Sequence, residues 1–291
     1  MQTQKKHPQN ISCEFFPPKT VQGKEKLGNT INELKKLDLS YISVTFGAGG
    51  STQEGTLETI LAVKSEGIDA APHLSCIGSS RENIRSILDQ YKSNGIRRIV
   101  ALRGDMPSGM REAGEFRYAN ELVEFIRDEY ADDFYLEVAA YPEFHPQAES
   151  AKDDLLNFKR KVDAGADAAI TQYFYNIDAY LRFVDDCEKM GIEIPITPGI
   201  MPITNYTQLA RFSDSCGTEI PRWLRRRLAG FGDDIESLKA YGLEVTSELC
   251  YSLLKQGAPG LHFYTMNRSV STLAICKNLG VISQASGQDH N

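Results

Sequence analysis

The chain has 291 residues, 41% of them hydrophobic and 24% charged, with a net charge of −7. That is enough chain for one large domain with a sizeable core, and the acidic balance argues against nucleic acid or an anionic membrane as a main partner. The six cysteines (Cys13, Cys76, Cys187, Cys216, Cys250 and Cys276) stand singly with no CxxC spacing. No metal site is therefore expected, and scattered thiols suit a reducing compartment. The N-terminus MQTQKKHPQN is polar and no apolar run is long enough to span a bilayer, so neither signal peptide nor membrane segment is expected, and the cytoplasm follows.

Short β-rich runs alternate with helical patterns along the whole chain. Strand-like runs are read at 11–16 (ISCEFF), 41–46 (YISVTF), 70–74, 98–102, 135–140 (YLEVAA), 168–173 (AAITQY), a proline-broken 194–200, and 260–265 (GLHFYT). Helices are read at about 22–37, 56–66, 81–93, 119–128, 149–164, 177–190 and 269–279, with a helical insertion at about 208–256 before the last strand. Eight strands, each followed by helix, predict a parallel α/β architecture. A dinucleotide-binding open sheet should carry GxGxxG after its first strand. Here Gly47-Ala48-Gly49-Gly50 follows the second strand and has Thr52 where the last glycine belongs. A (β/α)₈ TIM barrel with extra helices before the last strand is the better reading. No linker divides the chain, so 1–291 is read as one catalytic domain, with 1–10 and 281–291 expected to be flexible.

Active sites of such barrels lie at the C-terminal ends of the strands. Glu14, Thr45, His73, Asp105, Tyr141 and Gln172 fall at or just past the ends of successive strands, about one β/α unit apart, and His145 follows nearby. Glu14 and Asp105 are expected to converge there, with environments that split them into acid and electrostatic stabiliser. Glu14 sits in Cys13-Glu-Phe-Phe-Pro-Pro18, where apolar neighbours should raise its pKa toward that of a general acid. The alternative is an edge glutamate paired with Lys19. In Arg103-Gly104-Asp105 the glycine allows close approach to a planar ligand and the arginine offers a fork for phosphate. On the helix around 154–161, Asp154, Asn157, Arg160 and Lys161 fall near one side. They form either a solvated face or an anion grip. Arg225-Arg226-Arg227 is read as surface.

Taken together, CEFFPPK, SVTFGAGGST, APHLSC, GIRRIVALRGD, AAYPEFHPQA, DLLNFKRKVDAGADAAITQYF, PGIMPITN and HFYTMNR resemble the methylenetetrahydrofolate reductase family from residue 11 to about 280. The resemblance implies an FAD-bearing barrel that reduces 5,10-methylenetetrahydrofolate to 5-methyltetrahydrofolate. NADH or NADPH reduces the FAD first, and the folate then takes the hydride in the same space. It casts Glu14 as the acid that protonates N10 and Asp105 as the pterin-binding carboxylate. FAD contacts carry over to Phe46, Ala48, His73, Arg103, Gly104, Asp105, Ala119, Tyr141, His145, Ala148, Asp154, Asn157, Arg160 and Lys161. Substrate contacts fall on Thr45, Gln172, Gln208, Phe212 and Arg268. Many bacterial members carry tyrosine where this chain has Phe46. The chain ends soon after its last helix, so the C-terminal regulatory domain that senses S-adenosylmethionine is not expected. A homo-oligomer, dimer or tetramer, is expected from the resemblance. Another flavin barrel, such as a proline dehydrogenase, would explain the flavin contacts but not EFFPP. A silent folate- or protein-binding barrel would not explain both carboxylates.

Overall fold

The computed structural model describes residues 1–46, 53–105 and 114–281. Strands and helices alternate as β1 (Asn10–Phe15), α1 (Val21–Leu34), β2 (Leu39–Val44), α2 (Gln53–Ser65), β3 (Ala70–Ser75), α3 (Arg81–Ser93), β4 (Arg98–Leu102), α4 (Ala119–Tyr130), β5 (Tyr135–Ala140), α5 (Ala151–Asp163), β6 (Ala168–Thr171) and α6 (Ile177–Lys189). There follow β7 (Ile196–Thr197), β8 (Gly199–Ile200), α7 (Tyr206–Cys216), α8 (Arg222–Gly230), α9 (Ile235–Gln256), β9 (Gly260–Tyr264) and α10 (Val270–Asn278).

All the pairings are parallel, in the order β7-β6-β5-β4-β3-β2-β1-β9-β8. The two end pieces are halves of the expected seventh strand, separated only by Pro198. Proline has no N–H for a ladder, so the run switches partner there. β7 pairs with β6, β8 pairs with β9, and the Pro198 carbonyl accepts the His262 N–H at 3.0 Å. The sheet thereby nearly closes into a barrel.

Alternation along the strands sorts side chains between two layers. Cys13, Phe15, Ile42, Val44, Leu74, Ile99, Ala101, Leu136 and Val138 belong to the large core packed with the helices. Tyr41, Ala71, Val100 and Ile170 form a separate interior cluster. Buried polar groups join that interior. Tyr41 donates to Glu137 at 2.5 Å, Arg98 pairs with Glu137, and Ser12 and the His262 Nδ1 lie 2.7 Å apart. Most helices begin on a side-chain cap, among them Thr20, Ser80, Ser150, Asn176, Asn205 and Asp234, each satisfying a backbone N–H of the first turn.

The N-terminal segment departs from expectation. Residues 1–10, expected to be flexible, pack instead beneath the barrel. Gln4 is fully buried, donates to the Ile194 carbonyl and accepts the Ile196 N–H, while Glu188 takes the Met1 ammonium and Thr3. Those bonds satisfy the chain entering the short seventh strand, a requirement invisible in the polar composition of the segment. Of the expected flexible tail only Val281 lies among the described residues.

Candidate active site

Two adjoining cavities open where the strands end. The first, about 410 Å³, is lined by Glu14, Thr45, His73, Tyr141 and Gln172 from the strand ends, by Phe212 on α7, by Tyr264 at the end of β9 and by Met266 after it. The second, about 330 Å³, holds Arg103, Gly104, Asp105, Ala119, Tyr141, His145, Ala148, Asp154, Asn157 and Lys161. Leu102, Ala139 and Tyr141 face both. Glu14 and Asp105, expected to share one pocket, therefore line neighbouring compartments.

Glu14 Oε2 lies 3.4 Å from His73 Nε2. An ion pair would lower the acid's pKa and raise the base's. Burial drives both the other way, Glu14 up to about 8 and His73 down to about 4. Desolvation therefore wins, and near neutral pH the contact joins a protonated carboxyl to a neutral imidazole. Among the described residues, the His73 Nε2 atom is buried with no hydrogen-bond partner. Such an orphaned atom is costly unless a ligand satisfies it. The desolvation does not come from the sequence neighbours of Glu14. Phe15 points outward into the helix-facing core and Phe16 is 43% exposed. Val100, Leu102, Ile170 and Tyr264, from other strands, supply the apolar walls. The pairing with Lys19 that the sequence left open does not form; His73 takes that place.

Two strands along from β1, on β8, close approach is purchased with glycine. A Cβ on Gly199 would sit 2.1 Å from the Thr171 carbonyl and 2.6 Å from the Tyr264 ring. The Gly199 N–H donates to Thr171 Oγ1 at 3.0 Å and the Tyr264 hydroxyl to the Thr171 carbonyl at 2.8 Å, which fixes that ring in the cavity wall.

In the second cavity, Lys161 Nζ donates to the Ala139 carbonyl at 2.5 Å, and burial lowers its pKa to about 8. Asp154 accepts the His145 N–H at 3.0 Å, and its own pKa is raised by burial. Arg103 donates to Gln147 Oε1 at 2.6 Å. Gly104 has φ +82°, and a Cβ there would lie 2.8 Å from Ser75 Cβ, so the turn into this cavity admits little else. The helix face around 154–161 thus serves a cavity, except for Arg160, which is exposed and donates to Asn157 Oδ1.

Gln208 and Arg268 are exposed and line neither cavity, and Phe46 is half-buried and also lines neither. Ala48 lies outside the described residues. Arg225, Arg226 and Arg227 are exposed, as read from the sequence. Sequence reasoning missed Tyr173, Met201, Cys216, Tyr264 and Met266 in the first cavity, and Tyr118, Asn120 and Gln147 in the second. Tyr264 carried a usable signal, since strand alternation from Ser12-paired His262 points it inward.

A family model described as methylenetetrahydrofolate reductase matches residues 1–280. The chain belongs to the methylenetetrahydrofolate reductase family. It is 44% identical over 273 residues to the 5,10-methylenetetrahydrofolate reductase of Escherichia coli (strain K12), covering 94% of this chain and 91% of that protein. It is 41% identical to methylenetetrahydrofolate reductase (NADH) 1 of Arabidopsis thaliana, covering 94% of this chain but 49% of the plant protein. A solved structure of an uncharacterized protein from Clostridium thermocellum that binds two copies of 5-methyl-5,6,7,8-tetrahydrofolic acid superposes with a TM-score of 0.67 at 19% identity, over 95% of each chain. That likeness is one of fold. Among the described residues of this methylenetetrahydrofolate reductase family member, no helix is long and apolar enough to cross a membrane.

Proposed function

We propose that this chain reduces 5,10-methylenetetrahydrofolate to 5-methyltetrahydrofolate with NADH, through FAD held across the two cavities. Family membership and the 44% identity to the Escherichia coli enzyme support the reaction. The observation that carries the mechanism is Glu14, a carboxyl held protonated near neutral pH in an apolar cavity. The name of the Arabidopsis thaliana relative favours NADH over NADPH.

The donor set suits FAD. A second compartment with Arg103, Lys161 and a helix N-terminal turn fits an anionic dinucleotide, and the orphaned His73 nitrogen offers a polar contact to a ring system. Arg103, Gly104, Asp105, Ala119, Tyr141, His145, Ala148, Asp154, Asn157 and Lys161 would hold it, joined by Phe46, Ala48, His73 and Arg160. Bound there, FAD supplies a two-electron carrier between nicotinamide and folate. Glu14 delivers its proton to N10 of the folate, which opens the methylene bridge to an iminium ion. Asp105 hydrogen-bonds the pterin and favours that cation. Thr45 and Gln172 orient the ring that occupies the first cavity, and Phe212 stacks over it. Gln208 and Arg268, exposed at the surface, meet the outer part of the folate.

The barrel acts as one catalytic domain, in the cytoplasm and as a homo-oligomer. The absence of any disulfide among its six cysteines is in keeping with a reducing compartment. The deciding experiment is direct. The purified protein should be yellow with flavin absorbance, and its NADH oxidation should be stimulated by methylenetetrahydrofolate. Colourless protein that binds no FAD, or NADH oxidation indifferent to the folate, would overturn the reading.

A further inference from the structure

The ladder between β1 and β9 stops at the pair Glu14↔Tyr264. Beyond it the first chain runs into Pro17 and Pro18, which have no N–H. Phe16 is thus the last residue before Lys19 able to donate from its main chain. Phe16 is also 43% exposed, so its peptide groups would be open to water. Both are taken by one side chain. Asn267 Oδ1 accepts the Phe16 N–H at 3.0 Å, and Asn267 Nδ2 donates to the Phe16 carbonyl at 2.9 Å. The side-chain amide continues the strand pairing past the point where the backbone ladder ends.

A second link ties the same loop to the acid itself. Thr265 Oγ1 donates to the Glu14 carbonyl at 2.7 Å and accepts the Asn267 N–H at 3.2 Å. To aim its amide, Asn267 adopts φ +56° directly after Met266 at φ +53°. Asparagine tolerates that left-handed conformation better than other residues bearing a Cβ. Met266 in turn lines the Glu14 cavity. The loop has other moorings, since Thr30 Oγ1 donates to the Asn267 carbonyl at 3.3 Å and Ser269 pairs with Glu33. Loss of the amide grip therefore loosens the Glu14 strand end without freeing the loop from α1.

We propose that Asn267 is a positioning residue for Glu14, gripping the main chain two residues past the acid so that its carboxyl stays aimed into the first cavity. The inference rests on the reading of Glu14 as the general acid.

Three variants of the full-length protein test it: Asn267→Ala, Asn267→Gly and Asn267→Asp. Flavin reduction by NADH and flavin reoxidation by methylenetetrahydrofolate are timed separately by stopped flow, with Glu14→Gln alongside. Asn267→Ala and Asn267→Gly should slow reoxidation by roughly tenfold or more, the cost of a misplaced catalytic group, with reduction within about twofold of normal. Asn267→Asp keeps the acceptor for the Phe16 N–H and should recover part of the rate. The Glu14 carboxyl titration, followed in the apoprotein by infrared difference against Glu14→Gln, should shift in Asn267→Ala. Normal reoxidation in Asn267→Gly would show that only the backbone conformation matters and would overturn the proposal. So would equal slowing of both half-reactions, or an unmoved Glu14 titration. If Glu14→Gln reoxidises normally, the acid assignment falls and the proposal with it. If only Glu14→Gln is slow, the assignment stands and the Asn267 proposal alone fails. Should Asn267→Ala not fold, Asn267→Gly carries the comparison, and a normal rate and titration there count against the proposal.

Discussion

At the scale of single residues, protonation is decided by burial against the nearest charge. Glu14 and His73 are close enough to form an ion pair, yet both are pushed toward neutrality. Hydride transfer from NADH to flavin needs stacking but no proton for a substrate nitrogen, whereas opening the methylene bridge needs one. Glu14→Gln keeps shape and a hydrogen-bond donor but has no proton to give. It should leave flavin bleaching by NADH near normal and slow reoxidation by methylenetetrahydrofolate by roughly 10²–10⁴-fold, as removal of a general acid does. Two stopped-flow half-reactions decide it, and equal slowing of both would make Glu14 structural.

The pH dependence has a definite sign. With the folded pKa raised to about 8, the carboxyl holds its proton below that pH and loses it above. Reoxidation by the folate should therefore be flat through neutrality and fall as pH passes about 8. For stability, a raised pKa means that the native state binds the proton more tightly than the unfolded chain. The associated stability is fully present below the unfolded carboxyl pKa of 4.5 and is lost as pH rises through about 8. Glu14→Gln should accordingly gain melting temperature, relative to the parent, at pH 9 compared with pH 5. Thermal scans at the two pH values measure this; an identical difference at both would show that Glu14 is not desolvated.

At the scale of elements, α5 couples barrel packing to the second cavity. Ala166 is 5% exposed in the turn between α5 and β6, and its N–H donates to the Lys161 carbonyl at 3.2 Å. Beside it Gly165 has φ +109°, and a Cβ there would meet the Arg127 side chain at 3.0 Å. Ala166→Val adds two methyl groups at a residue buried in the core, at a cost of about 1–3 kcal/mol. The strain falls on the helix that carries Asp154, Asn157 and Lys161, so FAD should dissociate faster on dilution or mild heating. Flavin fluorescence release follows this directly, and unchanged dissociation would uncouple the turn from the cavity.

At the scale of the whole molecule, the barrel separates floor from site. Arg98, Glu137 and Tyr41 form a hydrogen-bonded buried network in the interior, away from the cavities that open at the strand ends. In the proposed reaction nicotinamide and pterin take turns in the first cavity, of about 410 Å³, against the same wall that carries Glu14. Steady-state rates should give parallel double-reciprocal lines, and high folate should compete with NADH. Intersecting lines, the mark of a ternary complex, would require a second subsite.

Much was legible in the sequence because its causes are local. Strand alternation, cap residues and the β/α period recur within a few residues of one another, and they specify a barrel and the end at which its site must lie. The polar residues at successive strand ends, from Glu14 to Gln172, could be placed at one end of the barrel on that basis alone. Contacts between distant strands could not. His73 rather than Lys19 faces Glu14, the walls that desolvate it come from Val100, Leu102, Ile170 and Tyr264, and its strand end is gripped by Asn267, 251 residues on from Phe16. The division into two cavities, the exposure of Gln208, Arg268 and Arg160, and the burial of Gln4 in a polar leader likewise depend on barrel closure. Periodicity tells a side chain which face it takes. Only the register between strands, and the folding of the sheet back on itself, decides which neighbour it meets there and therefore which proton it keeps.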